Sequence, residues 1–333
     1  MTEEIAANFR AFLDHYHAQP EVYDDDMDAQ IHKWYYDALT DRARKVWPKR
    51  PYFSPSAIGS DPRSQYERLR GAKRDVTGQS PHQGRWTRLG TAIGDVIQRD
   101  ILMAEKHIAG ARFRFERNDR GEPMFEDFAK TNRFVESGPA PFYLYGTCDG
   151  IMRYVTDDGE VIRVGLEVKS KQGTYSKTSE YGQRNGPEEK HAKQCVCYSL
   201  MYGTEAEPID YYVILYVNGS KKAWNMDADD YAKNPDIAVH CIEITDKERS
   251  SVVEHFGGIA KAAEEGTPPA LSLDDWTFNS FKTACAASLS DEEVAALERQ
   301  VDAVQRSGLK DFVKRNYTDA LADIRALRGG VAA

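Results

Sequence analysis

Five side chains in three short segments have the types and the spacing of a metal-dependent catalytic site. Asp149 follows Gly-Thr-Cys, Glu167 and Lys169 belong to Leu-Glu-Val-Lys, and Gln194 precedes Tyr198 by four residues. Carboxylates hold hard divalent cations such as Mg²⁺, and a lysine beside them can act on water or on phosphate. The combination, rather than any one segment, predicts chemistry on a phosphate ester.

A β-hairpin is predicted to carry the two carboxylates. Residues 142–155 and 161–169 read as strands, and residues 156–160, Thr-Asp-Asp-Gly-Glu, read as the turn between them. Side chains alternate along a strand, so Glu167 and Lys169 share one face while the core lies on the other.

The register of this hairpin decides whether the carboxylates meet. A two-residue turn would send the side chain of Asp149 to the wrong face of the sheet. A three-residue loop, with Gly159 in the left-handed conformation, instead pairs Thr156 with Glu160. Asp149 then lies opposite Glu167, and we predict that loop or an equivalent bulge.

A helix is predicted from Pro187, with Glu188 in its first turn, to a stop at Gly203. Offsets of three and four residues place His191, Gln194 and Tyr198 on one stripe of that helix. Taken alone, the stripe fits a partly buried helix face equally well.

The other elements are mostly helical. Apolar spacing predicts helices within residues 1–50, 86–107 and 246–265, and a buried strand at 209–217. The sequence Ser-Asp-Glu-Glu at 290–293 is a capping box that opens a helix ending at Arg306.

Composition bounds the class of protein. A chain of 333 residues with 41% hydrophobic and 29% charged residues suggests one catalytic core with sizeable additions, and no apolar stretch approaches the roughly 18 residues of a membrane span. The acidic start of the chain lacks the features of a secretory signal, and five cysteines, an odd number, favour reduced thiols. We therefore expect a cytoplasmic protein with no membrane partner.

Charge is uneven along the chain. The net charge of −9 opposes long-range attraction of nucleic acid, but residues 61–88 contain seven basic and three acidic residues, a local balance of +4. Arg63, Arg85 and Arg88 in that tract are candidate DNA contacts. A solvated basic helix face explains the charge equally well.

The three segments together resemble the PD-(D/E)XK nuclease superfamily, in particular its RecB-like branch of CRISPR-associated and phage recombination exonucleases. The resemblance covers about residues 54–266. It implies an α/β fold, a restriction-endonuclease-like core with a central mixed β-sheet flanked by helices. The implied organisation is an N-terminal helical extension at 1–50, the nuclease core at 51–266 and a C-terminal helical region at 267–333.

Two departures from the family pattern concern cofactors. The segment Gly-Thr-Ala-Ile-Gly at 90–94 resembles the family's Gly-x-x-x-His, with Gly94 in the place of the metal-binding histidine, and Asp95 or Gln98 are candidates to replace that ligand. Asp61 stands where many members have the first cysteine of an iron–sulfur cluster, and only Cys285 lies in the later cysteine region. A cluster needs four ligands, so we predict none.

The resemblance also implies roles for the site residues. Asp149, Glu167 and the backbone carbonyl of Val168 would bind Mg²⁺ or Mn²⁺, with Asp95 as a further candidate ligand. Lys169 would orient or deprotonate a water, or stabilise the transition state. Gln194 and Tyr198 would hold Lys169 and a phosphate.

The implied function is a metal-dependent DNA exonuclease acting on linear DNA in recombination, repair or phage DNA processing, in a bacterial or phage-infected cell. The alternatives are a site-specific or structure-specific endonuclease, and a catalytically impaired DNA-binding homologue. A single-strand annealing protein or a second copy of the chain is a candidate partner. Residues 170–186 read either as a path for a DNA strand or as a surface loop. The candidate DNA contacts are Arg63, Arg85, Arg88, Lys171, Tyr175, Lys177 and His191.

Overall fold

The computed structural model describes residues 1–41, 45–76, 78, 80–220 and 223–331. The α-helices are α1 Thr2–His17, α2 Asp25–Thr40, α3 Pro62–Leu69, α4 Pro81–His107, α5 Glu180–Gln183, α6 Glu189–Tyr202, α7 Ala228–Lys233, α8 Asp246–Glu265, α9 Lys282–Ser288, α10 Asp291–Arg306 and α11 Asp311–Val331. The β-strands are β1 Tyr52–Phe53, β2 Phe113–Phe115, β3 Thr131–Val135, β4 Phe142–Gly146, β5 Gly150–Val155, β6 Val161–Lys171, β7 Tyr211–Asn218 and β8 Ile237–Glu243. Residues 42–44 of the predicted N-terminal extension, and 77 and 79 of the basic tract, lie outside the described residues.

A five-stranded mixed sheet in the order β2-β5-β6-β7-β8 is the frame of the candidate site. β6 pairs with β7 in parallel, and the other neighbours are antiparallel. A parallel pair needs a long crossover, which residues 172–210 with α5 and α6 supply. A second sheet has the order β1-β4-β3.

The hairpin of β5 and β6 has the predicted register. Val155 pairs with Val161, and the backbone N–H of Thr156 donates to the Glu160 carbonyl at 2.9 Å. Gly159 has a φ of +82°, which side-chain-bearing residues rarely adopt. The predicted three-residue loop is therefore confirmed.

The two faces of the sheet have different partners. Met152, Leu166 and Val213 belong to a buried apolar cluster with Phe9 of α1 and Ile101 of α4. The opposite face contacts α6. The apolar spacing of α1 thus serves the core of the sheet, and the N-terminal residues are part of the same packed structure.

The chain forms two compact units, each assembled from separated segments. The first unit comprises Met1–Pro48, Gln79–Arg133 and Leu144–Val252. The second comprises Lys49–Gly78, Phe134–Tyr143 and Val253–Ala333. This division differs from the three consecutive domains expected from the sequence, because segments distant along the chain pack together in each unit.

In the second unit, the Arg63 side chain is fully buried. Its guanidinium donates to the carbonyl oxygens of Pro269 at 2.8 Å and Ser288 at 2.6 Å. It also forms ion pairs with Glu293 at 3.0 Å and Glu67 at 3.4 Å. The prediction that Arg63 contacts DNA is therefore wrong, since every side of its guanidinium faces protein.

The predicted α/β architecture, a central mixed sheet flanked by helices with helical additions at both ends of the chain, is confirmed. It is consistent with a restriction-endonuclease-like core. The capping box at Ser290 is also present, with its N–H donating to Glu293 Oε2 at 2.8 Å. Among the described helices, none is both long enough and apolar enough to cross a bilayer.

Candidate active site

Asp149 and Glu167, the carboxylate pair, face each other at the start of the hairpin. Gly150 pairs with Leu166, so the same register puts Asp149 opposite Glu167. The Val168 backbone N–H donates to Asp149 Oδ2 at 2.6 Å, which draws this carboxylate onto the backbone of β6. The sequence-predicted pair is thus brought together.

The carboxylate pair is electrostatically unfavourable without a cation. Burial, followed by the negative charge of Glu167, raises the pKa of Asp149 to about 8, against the opposing effects of the Val168 N–H and Lys169. Burial also raises the pKa of Glu167. Carboxylates that share a dry site resist ionising together, which favours a bound proton or cation.

Lys169 joins the carboxylate pair to α6. Its Nζ forms an ion pair with Glu167 Oε1 and donates to Gln194 Oε1 at 3.2 Å. Gln194 Nε2 in turn donates to the Tyr198 hydroxyl at 3.0 Å. Burial lowers the pKa of Lys169, but the charge and hydrogen bond of Glu167, together with the charge of Asp149, make the net shift upward, so the side chain is an ammonium.

Tyr212 and Gly165 support this chain of contacts from the sheet. The Tyr212 ring stacks on Tyr198, with ring centroids 6.3 Å apart and planes inclined by 23°. A Cβ at Gly165 would lie 2.0 Å from the Tyr212 ring, closer than two carbon atoms can approach. Glycine at 165 is therefore needed for the position of Tyr212.

On α4, the residue that faces inward is Gln98 rather than Asp95. A side chain at Gly94 would start 3.9 Å from Gln98 Nε2, so these two positions share one helix face. Asp95 is rotated away from that face, and its pKa is raised by burial and by the charge of Asp127.

Asp95 is the further metal ligand predicted from the sequence. Within the described part of the chain, no group of three His, Cys, Asp or Glu residues is placed to hold a metal ion. The role of Asp95 as a ligand therefore stays a prediction. Gln98 is buried, and its side-chain amide lies close enough to the Glu126 carboxyl to oppose the rise in the pKa of that group.

Glu126 is an acidic neighbour of the carboxylate pair that the sequence analysis missed. Burial raises its pKa first, followed by the charge of Asp149. It is positioned because Phe125 forms a β-bridge with Gly150, and because the Thr147 hydroxyl donates to the Glu126 carbonyl. Glu126 lies in a loop whose sequence has no periodicity, so its position next to the carboxylate pair follows from the β-bridge and not from a sequence pattern.

The carboxylate pair fits one hard divalent cation. Glu167 Oε2 is buried and has no hydrogen-bond partner among the described residues, an arrangement that is costly unless another group satisfies the oxygen. Mg²⁺ commonly takes one or two protein carboxylates and completes its octahedron with water and substrate. Asp149 and Glu167 have the required chemistry, and Val168 brings its backbone to the same place.

Four of the predicted DNA contacts are accessible. Arg85 and Arg88 are exposed on the first half of α4, and Tyr175 and Lys177 are exposed in a short 3₁₀ turn after β6. Gln172, between β6 and that turn, has its Nε2 3.4 Å from the backbone carbonyl of Trp86. The start of α4 and the segment after β6 are therefore neighbours.

His191 and Lys171 are less accessible. His191 is buried, and its Nδ1 lies 2.9 Å from the Tyr216 hydroxyl. Burial, with the charge of Lys169, lowers the pKa of His191 to about 4, so the ring is neutral. Contact of His191 with DNA therefore stays a prediction. Lys171 has a largely buried side chain and forms an ion pair with Glu188.

Comparisons with known proteins give little. No protein-family model matches the chain, and no curated protein matches it. Among solved structures, it is similar to an alkaline exonuclease from Laribacter hongkongensis, with a TM-score of 0.33 and 10% sequence identity over 65% of this chain and 89% of that one. At this level of similarity, function has to be inferred from the site itself.

Proposed function

We propose that the chain is a divalent-metal-dependent deoxyribonuclease that hydrolyses phosphodiester bonds. The observation that carries the proposal is the convergence of the carboxylate pair with Lys169, which Gln194 holds at 3.2 Å. Two buried acidic side chains that resist ionising together, beside a buried ammonium, suit a site that takes up a cation and a phosphate.

Asp149, Glu167 and the Val168 carbonyl would hold the Mg²⁺ or Mn²⁺ ion. When bound, the cation would neutralise phosphate charge and lower the pKa of a water molecule. Lys169 would stabilise negative charge on the phosphate in the transition state, or orient or deprotonate the attacking water. Gln194 and Tyr198 fix the direction of the ammonium.

We propose DNA ends as the substrate. The exposed residues Arg85, Arg88 and Lys177 supply positive charge for a backbone, and Tyr175 supplies a ring on which a base can stack. An exonuclease of this kind would act in recombination, repair or phage DNA processing. A single-strand annealing protein and a second copy of the chain are the partners to test.

The experiment compares linear duplex DNA with covalently closed circular DNA in Mg²⁺, Mn²⁺ or EDTA. Linear DNA should be degraded with either metal and not in EDTA, and circular DNA should persist. Lys169→Met should lower kcat by about 100-fold or more, as expected for removal of a preorganised charge from a transition state. Lys193→Met is the matched control, because Lys193 is exposed on α6, the helix that carries Gln194, and pairs with Glu189 on that helix.

Two results would change the proposal. Cutting of the closed circle at a rate similar to that of linear DNA would assign an endonuclease. Binding of DNA without metal-dependent cleavage, by a protein with unaltered thermal stability, would assign a DNA-binding protein.

A further inference from the structure

Lys171 continues the line of charged side chains that begins at the carboxylate pair. Alternation along β6 puts Glu167, Lys169 and Lys171 on one face of the strand. Across the parallel pairing, Lys169 is level with Tyr216 and Lys171 with Asn218 of β7. Two residues of a parallel strand span about 6.6 Å. The ammonium groups of Lys169 and Lys171 can therefore contact successive charged groups of an extended anionic polymer.

Tyr216 forms a rigid floor beneath Lys171. The Tyr216 side chain is completely buried, and Lys171 Nζ lies 4.3 Å from the centre of its ring. The Tyr216 hydroxyl accepts a hydrogen bond from the Glu188 backbone N–H at 2.9 Å and lies 2.9 Å from His191 Nδ1. Both bonds join β7 to the first turn of α6, so the ring keeps its orientation. A lysine above such a ring gains a cation–π attraction.

Glu188 places a carboxylate directly beside this ammonium. It is the N-cap residue of α6, yet its side chain makes no capping hydrogen bond. Instead Glu188 Oε1 pairs with Lys171, and Oε2 lies 3.3 Å from Lys190 Nζ and 3.9 Å from His191 Nε2. The Glu188 side chain is 43% exposed, whereas that of Lys171 is 12% exposed. One anion thus lies between basic side chains with its outer side open to solvent.

The basic side chains around Glu188 are of the kind that bind phosphate, and here they bind the Glu188 carboxylate. Lysine binds phosphate as a point charge, and a carboxylate presents two oxygens with a similar charge. Glu188 makes no capping hydrogen bond, and both of its carboxylate oxygens lie beside basic side chains.

We propose that Lys171 binds the DNA phosphate next to the scissile one, and that the Glu188 carboxylate occupies this phosphate position until DNA displaces it. The inference rests on the proposed nuclease function. It assigns Lys171 to a binding subsite and Glu188 to an internal competitor of the substrate. Neither residue takes part in bond breaking.

The test is a double-mutant cycle on DNA affinity. A short fluorescent linear duplex is titrated in EDTA, where it is not cut, with wild type, Glu188→Gln, Lys171→Met and the double variant. Glu188→Gln should tighten Kd about threefold to fivefold, the effect of releasing one ion pair whose carboxylate is open to solvent. Lys171→Met should weaken binding and reduce the dependence of log Kd on log salt concentration by about one. In the Lys171→Met background, Glu188→Gln should have no effect.

Glu189→Gln is the matched control. Glu189 follows Glu188 directly and carries the same charge, but it pairs with Lys193. A tightening equal to that of Glu188→Gln would show a general charge effect and overturn the proposal. So would a Glu188→Gln effect that persists without Lys171.

A second measurement separates the subsite from the proposed function. In Mg²⁺, Glu188→Gln should lower KM for linear DNA by a similar factor and leave kcat within about twofold. Wild type that neither binds nor degrades DNA would overturn both the function and the subsite. Wild type that degrades DNA, with KM unchanged in Glu188→Gln, would overturn the subsite alone.

Discussion

Asp149→Asn should make the metal-free protein less sensitive to pH while abolishing its activity. The amide keeps an oxygen that can accept the 2.6 Å hydrogen bond from the Val168 N–H, so the backbone need not move. It removes the charge that burial and Glu167 oppose. A functional carboxylate is thereby exchanged for a neutral group of nearly the same shape.

The magnitude follows from the pKa of Asp149, which is raised from 3.8 to about 8 on folding. A raised carboxyl pKa means that the folded state holds a proton that the unfolded chain has lost. Its contribution to stability is full below pH 3.8 and disappears as the pH rises to about 8. Each pH unit within that window is worth about 1.4 kcal/mol, so the loss between pH 5 and pH 8 is about 4 kcal/mol at most.

The assay is urea unfolding in EDTA at intervals from pH 5 to pH 8, with Asp158→Asn in the exposed hairpin turn as the matched control. From pH 5 to pH 8, the free energy of unfolding should fall by at least about 2 kcal/mol less in Asp149→Asn than in wild type. In Asp158→Asn it should fall by the same amount as in wild type. Excess Mg²⁺ should reduce the pH-dependent loss in wild type but not in Asp149→Asn, because a bound cation favours the ionised carboxyl. Parallel pH profiles for wild type and Asp149→Asn would refute the reasoning.

Three further variants test other parts of the structure. Arg63→Met should lower the free energy of unfolding, measured in urea, by about 3–5 kcal/mol, because the buried Glu67 carboxylate and two carbonyl oxygens lose their partner. Gly165→Ala should cost about 1–3 kcal/mol in the same assay, because the new Cβ meets the Tyr212 ring at 2.0 Å. Gln194→Ala should reduce kcat about tenfold with KM nearly unchanged in steady-state DNA cleavage, because Lys169 loses a bond that fixes its direction. An unchanged kcat in Gln194→Ala would contradict the positioning role.

Local signals predicted the centre of the candidate site. The turn chemistry at Gly159 set the hairpin register, and strand alternation placed Glu167 and Lys169 on one face. Helical spacing likewise put Gln194 and Tyr198 within hydrogen-bonding distance. Each of these relations spans a few residues or one hairpin, where backbone geometry leaves little choice.

Long-range relations were not predictable in the same way. Arg63 looked like a surface cation because its neighbours in sequence are basic, yet apart from Glu67 its polar partners lie more than 200 residues further along the chain. Glu126 reaches the carboxylate pair only through the bridge between Phe125 and Gly150. No periodicity or composition encodes such partners, because they depend on how separated segments pack.

The hairpin of β5 and β6 also bears on the order in which the site assembles during folding. A hairpin forms in roughly 1–10 μs, whereas parallel pairing must first close a long loop. Here β7 joins β6 only after residues 172–210 have crossed over, and those residues carry Gln194. The carboxylate pair should therefore meet before Lys169 gains its support from α6. We expect Mg²⁺ to increase the refolding rate constant, because the cation would already stabilise the hairpin in the transition state.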